Sequence, residues 1–180
     1  VNFKFDTPID LPGVADKLLE NGYYAIFLGP GLWDAATLKP NDSPMENLFS
    51  SVDYLSALRD GRLEEMTSRV KGNTVAVIGG GSVAMDCIES AMNLGAKDVY
   101  LVYRRSYSQM PAEADERVEA LEAGVHFLLL NQPVDYITNG DDKVTGLQLM
   151  RTRLGDPDDS GRRRPEIIAE SEWALDADVV

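Results

Sequence analysis

VAVIGGGSVAMDC, at residues 75–87, and VYRRS, at 102–106, are the stretches whose reading decides the fold. The first passes from an apolar, β-branched run through a glycine turn into a helical pattern. Its apolar positions Ala84, Cys87, Ile88 and Ala91 follow the i, i+3, i+4, i+7 spacing of one helix face, while Asp86, Glu89 and Asn93 fall on the other. Gly95 stands where a C′ glycine ends a helix, and VYLVY at 99–103 reads as an almost continuous apolar strand of the kind a parallel sheet buries on both faces. A second unit repeats the rhythm. In MPAEADERVEALEAG, Pro111 stands near the start of a helix, acidic residues fill its first turn, and Gly124 closes it ahead of the strand VHFLLL. Strand, helix, strand, helix, strand predicts the mononucleotide-binding half of a Rossmann-like, three-layer α/β fold.

The turn itself meets the spacing G-x-G-x-x-G/A at Gly79, Gly81 and Ala84, with a strand before it and a helix after it. Gly79 permits a tight turn, Gly81 lets backbone approach a pyrophosphate, and Ala84 is small enough for the helix to pack on the strand. The helix N-terminus offers free N–H groups to the anion. About 20 residues beyond such a turn, a carboxylate usually accepts hydrogen bonds from ribose hydroxyls. This chain has Arg104 and Arg105 there. A carboxylate would repel a 2′-phosphate, whereas a guanidinium pairs with its oxygens, so the exchange favours NADP over NAD. One good charge-assisted contact, about 1.5–3 kcal/mol, predicts roughly ten- to hundredfold preference. The alternative is a pair of strand-end arginines facing solvent. Two readings also stay open for Ser106 and Tyr107: a hydroxyl contact and adenine stacking, or plain loop.

Outward from this unit the pattern is weaker. VNFKF at 1–5 alternates like a strand, the stretch from Val14 to Leu19 is amphipathic, and YYAIFL at 23–28 is an apolar run, together a small βαβ-like remnant. Turn formers dominate from Gly29 to Pro44 and predict a loop, after which VDYLSALRD at 52–60 reads as one short helix. Beyond Pro133 come three β segments, VDYIT, VTGLQLMRTRL and WALDADVV, separated by NGDD and DPDDSGRRRPE, which predict an antiparallel β insert. Arg162, Arg163 and Arg164 stand beside DPDD, so a solvated loop is expected there rather than a phosphate or nucleic-acid site. The chain opens and closes within strand-like patterns, and reads as an excerpt of something longer.

A formal net charge of −13 argues against general affinity for nucleic acid or anionic membrane, which needs a basic face. No apolar run approaches the roughly 20 residues of a membrane span, and a soluble, cytosolic protein is expected. The single cysteine, Cys87, excludes an internal disulfide framework, a Cys-rich zinc site and a four-thiolate cluster within this stretch. On the apolar helix face it is expected as a buried structural thiol. His126, the only histidine, has no partner for a catalytic triad. Asp86 is expected to sit favourably at the helix dipole rather than to orient the turn. No catalytic or metal-ligating residue is assigned.

IGGGSVAMD, LGAKDVYLVYRRS, MPA with Glu113, SGRRRPE and ESEWALDADVV resemble the NADPH-binding region of the glutamate synthase small subunit and its flavoprotein relatives. These relatives include the N-terminal half of dihydropyrimidine dehydrogenase, where electrons enter. The likeness runs from about Tyr23 to the C-terminus. It implies an NADPH domain inserted into an FAD domain, with hydride passing from NADPH to flavin and electrons continuing through iron–sulfur clusters to a receiving subunit or domain. By resemblance Gly79, Gly80, Gly81 and Ser82, with Val83 beside them, hold the pyrophosphate; Arg104 and Arg105 hold the 2′-phosphate; Glu113 touches the cofactor or else lies on a solvated helix face. The family usually has Asn or Asp followed by Thr where this chain has Ser82 and Val83, and an A-T-G-like turn where this chain has LGPG. Residues 1–50 would be a remnant of the FAD-domain segment and its linker, and 51–180 the NADPH-binding domain with its meander at 133–180. FAD and the clusters would lie outside this segment. The rival of another class is an NADP-binding sensory or regulatory module without redox turnover; a self-contained NADP dehydrogenase lacks a Tyr-x-x-x-Lys or paired His to donate a proton.

Overall fold

The computed structural model describes residues 2–7, 9–10, 13–29, 38, 45–159 and 161–180. It divides into two compact units, 1–33 and 34–180. In the first, helix α1 spans Gly13–Glu20. The runs at 2–5 and 23–28, expected as strands, form none, and Phe3, Phe5, Tyr24 and Phe27 are exposed. A strand exists only by pairing its backbone N–H and C=O groups, and among the described residues neither run finds a partner. Most of the expected loop from Gly29 to Pro44 lies outside the described residues.

The second unit begins with α2 (Ser51–Arg59), where Ser50 caps the helix by accepting from Asp53 N, and α3 (Leu63–Val70). Helix α3 is short, buries only Met66 and Val70, and was not expected. Then follow β1 (Thr74–Ile78), α4 (Ser82–Asn93), β2 (Asp98–Tyr103), a 3-10 turn at Tyr107–Gln109, α5 (Ala114–Glu122) and β3 (His126–Leu129). The three strands form a parallel sheet in the order β1-β2-β3, with Thr74 opposite Asp98 and Tyr100 opposite His126. Gly95 and Gly124 both take positive φ just past their helices, as the C′ position requires.

The remaining strands are β4 (Asn131–Thr138), β5 (Val144–Pro157), β6 (Arg163–Ile167) and β7 (Trp173–Asp176). Strand β5 is the spine of this antiparallel sheet, pairing with β4, β6 and β7. Two expectations are corrected. Residues 163–167, read as loop, are an edge strand, because β5 runs on far enough to offer a ladder to them and Arg153 pairs with Glu166 across it. WALDADVV is not one strand: Trp173–Asp176 pairs with β5, and Val179 then bridges in parallel to Val75, continuing the parallel sheet beyond β1.

The side chains of β2 explain the layering. Val99, Leu101 and Tyr103 enter the core shared with the helices, whereas Val102 joins Ala76, Leu147, Leu149 and Leu175 in a second core between the two sheets. With period two and both faces apolar, such a strand must be covered on each side. The order is therefore helices, parallel sheet, antiparallel sheet. Ala84, Cys87, Ile88 and Ala91 all bury as the spacing predicts, while Asp86, Glu89 and Asn93 are exposed. No helix among the described residues is long and apolar enough to cross a membrane.

Candidate functional site: the glycine turn and its arginine cleft

Three consecutive glycines follow β1, and each answers to a different neighbour. Gly79 has φ +140°, disfavoured for any residue with a Cβ, and an added Cβ would sit 3.4 Å from that of Ala84. This contact is also why position 84 must be small. At Gly80 a Cβ would lie 2.7 Å from the ring of Tyr103, while the Gly80 carbonyl accepts from Ala112 N at 3.0 Å. Tyr103 is itself fixed, its hydroxyl donating to the Gln109 carbonyl at 2.7 Å. Gly81 is different. Its φ of −98° suits any residue, and an added Cβ would meet only Pro111 Cγ at an ordinary 3.7 Å. Nothing in the fold requires glycine there, and the open face it leaves is the kind of room a ligand's phosphate takes up.

Gly81 is also the N-cap of α4, and among the described residues no side chain caps that helix end. Its first-turn amides and the positive end of the helix dipole therefore point outward. The Ser82 hydroxyl donates to Glu116 Oε2 at 2.9 Å, and the same oxygen accepts from Glu113 N at 2.9 Å. Glu113 in turn accepts from the Glu116 backbone, which completes a capping box at the start of α5. Glu116 thus ties the two helix starts together beside the turn, a role not anticipated; the E-x-x-E spacing was its only signal, and Glu is not a usual N-cap residue. Val83 is exposed. Ser106 shares a hydroxyl contact with Ser108, and the Tyr107 ring lies under the Arg117 guanidinium at 4.6 Å.

The two arginines part company. Arg104 is exposed, its backbone held by Thr152 Oγ1, which donates to the Arg104 carbonyl at 2.7 Å. Arg105 is only 7% exposed. Its Nε donates to the Arg163 carbonyl and one terminal nitrogen to Asp158 Oδ2, each at 2.8 Å. A buried guanidinium needs such a carboxylate, since an unpaired buried charge is strongly unfavourable. Of the two arginines read as a pair, Arg105 thus has partners within the protein while Arg104 is exposed. Both still line one cleft of about 360 Å³, with Ile78, Gly79, Tyr103 and Arg162, at the carboxyl ends of β1 and β2. That is where open parallel sheets hold their ligands.

Away from the cleft, burial pushes the Cys87 thiol up to about 12, with the Asp86 carboxylate adding to the effect. The thiol is therefore neutral and inert, as expected of a structural cysteine. His126 stacks on Tyr100 at 4.8 Å and faces Asp98 at 3.6 Å.

Parallel sheet, glycine turn and arginine-lined cleft together define a dinucleotide-binding α/β module carrying an antiparallel sheet on one face. The family model for pyridine nucleotide-disulphide oxidoreductases matches residues 11–158, and the chain belongs to that family. It is 35% identical to the glutamate synthase (NADPH) small chain of Escherichia coli, covering all of this chain and 39% of that protein. It is 36% identical to the beta subunit of an NADP(+)-dependent formate dehydrogenase from Moorella thermoacetica, again over the whole chain but over 25% of that protein. The chain thus spans well under half the length of these relatives. Among solved structures, FprA of Mycobacterium tuberculosis in complex with NADPH shares the fold, with a TM-score of 0.69 over 91% of this chain and 50% of that one at 19% identity.

Proposed function

We propose that this chain is the NADPH-binding segment of a flavin-dependent oxidoreductase, one that passes hydride from NADPH to FAD and electrons onward through iron–sulfur clusters. The observation that carries the reading is the single cleft lined by both Gly79 and Arg104, a phosphate-accommodating turn and a cation in one place. The names of the relatives support it, being NADPH- and NADP(+)-dependent enzymes. When bound, NADPH supplies the hydride; the chain's own residues bind and orient it. Gly79, Gly80 and Gly81 leave backbone and α4 amides open to the pyrophosphate, with Ser82 and Val83 bordering them. Arg104 takes the 2′-phosphate, with Arg105 behind it, and Ser106 and Glu113 flank the adenosine and pyrophosphate ends.

Within the compact unit of 34–180, we assign cofactor binding to 51–180, meander included, and treat 1–50 as segment and linker of an adjoining FAD domain. That domain belongs to the same full-length chain, and the receiving subunit or domain sets the final acceptor. The two relatives named above act in different reactions, so the acceptor is not a property of this module. A cytosolic setting goes with this proposal. Calorimetric titration of the full-length protein with NADP⁺ and NAD⁺ at moderate salt tests it. NADP⁺ should bind at least about tenfold tighter, the effect of one charge-assisted contact, and Arg104→Ala should erase most of that margin. Equal affinities in the unsubstituted protein would overturn it.

A further inference from the structure

Resting on that reading, the question is where the second charge for a phosphate dianion comes from when Arg105 is buried. The β5–β6 hairpin gives an answer. Its turn is closed by Asp158 and Arg162: Asp158 N donates to the Arg162 carbonyl at 2.7 Å, and Arg162 N donates to Asp158 Oδ1 at 3.2 Å. Gly161, at φ +78°, makes the tight return and donates to the Asp158 carbonyl. The other carboxylate oxygen of Asp158 receives Arg105. One aspartate therefore closes the turn and docks it onto the end of β2. A further tie holds the hairpin to the segment after β2, Arg163 N donating to Gln109 Oε1 at 2.9 Å.

This docking separates the arginines of the 162–164 run. Arg163 folds back on its own hairpin, donating to the Gly155 and Leu154 carbonyls at 2.8 Å each. Arg162 is exposed and lines the same cleft as Arg104 and Gly79. The two arginines, one just past β2 and the other in the hairpin turn, are far apart in sequence yet line one opening. A phosphate monoester carries close to two negative charges at neutral pH and three acceptor oxygens, which more than one guanidinium can share.

We propose that Arg162 is a second specificity determinant for the 2′-phosphate, delivered from the antiparallel hairpin, and that Arg105 and Asp158 are positioning residues that hold this hairpin against the cleft. Arg105 then serves discrimination through Arg162. Its forked geometry suits the task, since Nε and a terminal nitrogen reach two acceptors at once where a lysine ammonium has no such fixed fork.

The test is titration of the full-length protein with NADP⁺, NAD⁺ and 2′,5′-ADP. Arg162→Ala keeps the backbone bonds of the turn, so the fold should persist. It should weaken NADP⁺ and 2′,5′-ADP about tenfold or more while leaving NAD⁺ within about twofold, and Arg162→Lys should restore part of the loss. Asp158→Asn should lower the NADP⁺/NAD⁺ ratio too, and the Asp158→Asn/Arg162→Ala pair should lose no more than Arg162→Ala alone, because both act through one contact. If the unsubstituted protein prefers NADP⁺ and Arg104→Ala removes that preference, but Arg162→Ala leaves the ratio unchanged, Arg162 has no such role and the cofactor reading stands. If Arg162→Ala weakens NADP⁺ and NAD⁺ equally, it acts on general affinity and the assignment fails. A protein without preference for either dinucleotide would sink both readings.

Discussion

The parallel sheet and the antiparallel meander wall the same cleft, yet they are specified in different ways. The central parallel strand β2 is buried on both faces, and the apolar runs, flanking glycines and intervening helices of the parallel sheet are all visible in contiguous sequence. The meander's decisive contacts are distant: Arg105 meets Asp158 across 53 residues, and Thr152 meets the Arg104 carbonyl across 48. Its edge strand β6, RRPEI, has a composition that by itself suggests a loop. The lesson is that the anion-binding turn is a local property of the chain, while the charge surrounding it is a tertiary one.

The strongest challenge to that contrast is to ask whether the two sheets stand or fall together. Leu149 is fully buried in the core between them. Leu149→Ala should destabilise the protein by about 2–5 kcal/mol, the usual loss for such a truncation. Unfolding followed by Trp173 fluorescence, in a Trp33→Phe background, and by far-UV circular dichroism should give coincident transitions. A meander that melted first would mean the sheets are energetically separate.

A finer cut lies within the glycine turn. Gly80→Ala drives a Cβ to 2.7 Å from the Tyr103 ring, and the overpacking should lower stability by about 1–3 kcal/mol. Gly81→Ala meets only Pro111 at 3.7 Å and should change stability by less than about 0.5 kcal/mol, while weakening NADP⁺ and NAD⁺ alike. Thermal denaturation and dinucleotide titration separate the two cases. Equal destabilisation by both substitutions would remove the evidence that Gly81 answers to a ligand.

The smallest effect expected is on pH dependence. In the folded protein burial keeps the Cys87 thiol protonated up to about 12, whereas an ordinary cysteine thiol titrates near 9.0. The unfolded chain therefore releases this proton first as pH rises, and stability should fall progressively between about pH 9 and 12. Below that window the residue contributes no slope. Cys87→Ala should flatten the decline, as read from urea midpoints at pH 8, 9 and 10; an unchanged slope would show that the thiol is more accessible than its burial implies.

Much of the fold was legible because glycine, proline and apolar period act over a few residues. The strands β1 to β3, helices α4 and α5, and the buried face of α4 all follow from that. What escaped was set by partners. VNFKF and YYAIFL carry strand composition, but among the described residues neither run has a ladder to join. Helix α3 hides its two buried residues among polar ones. At the site, the turn and Arg104 could be read directly, but the pairing of Arg105, the link from Ser82 to Glu116 and the presence of Arg162 required distant segments to meet. The arginine run beside DPDD was weighed on linear proximity alone; one of those acids, Asp158, also reaches Arg105.

The bridge from Val179 to Val75 bears on how the molecule is made. Thr74 N donates to Asp178 Oδ2 across 104 residues, and Ala76 N to the Val179 carbonyl. As a ribosome delivers the chain from its N-terminal side, the outer edge of β1 must wait for these late residues before its amides are satisfied. Closing so long a loop is entropically unfavourable and slow. During that interval an open, apolar strand edge is available to neighbours, and a nascent chain halted before Ala177 would be prone to self-association.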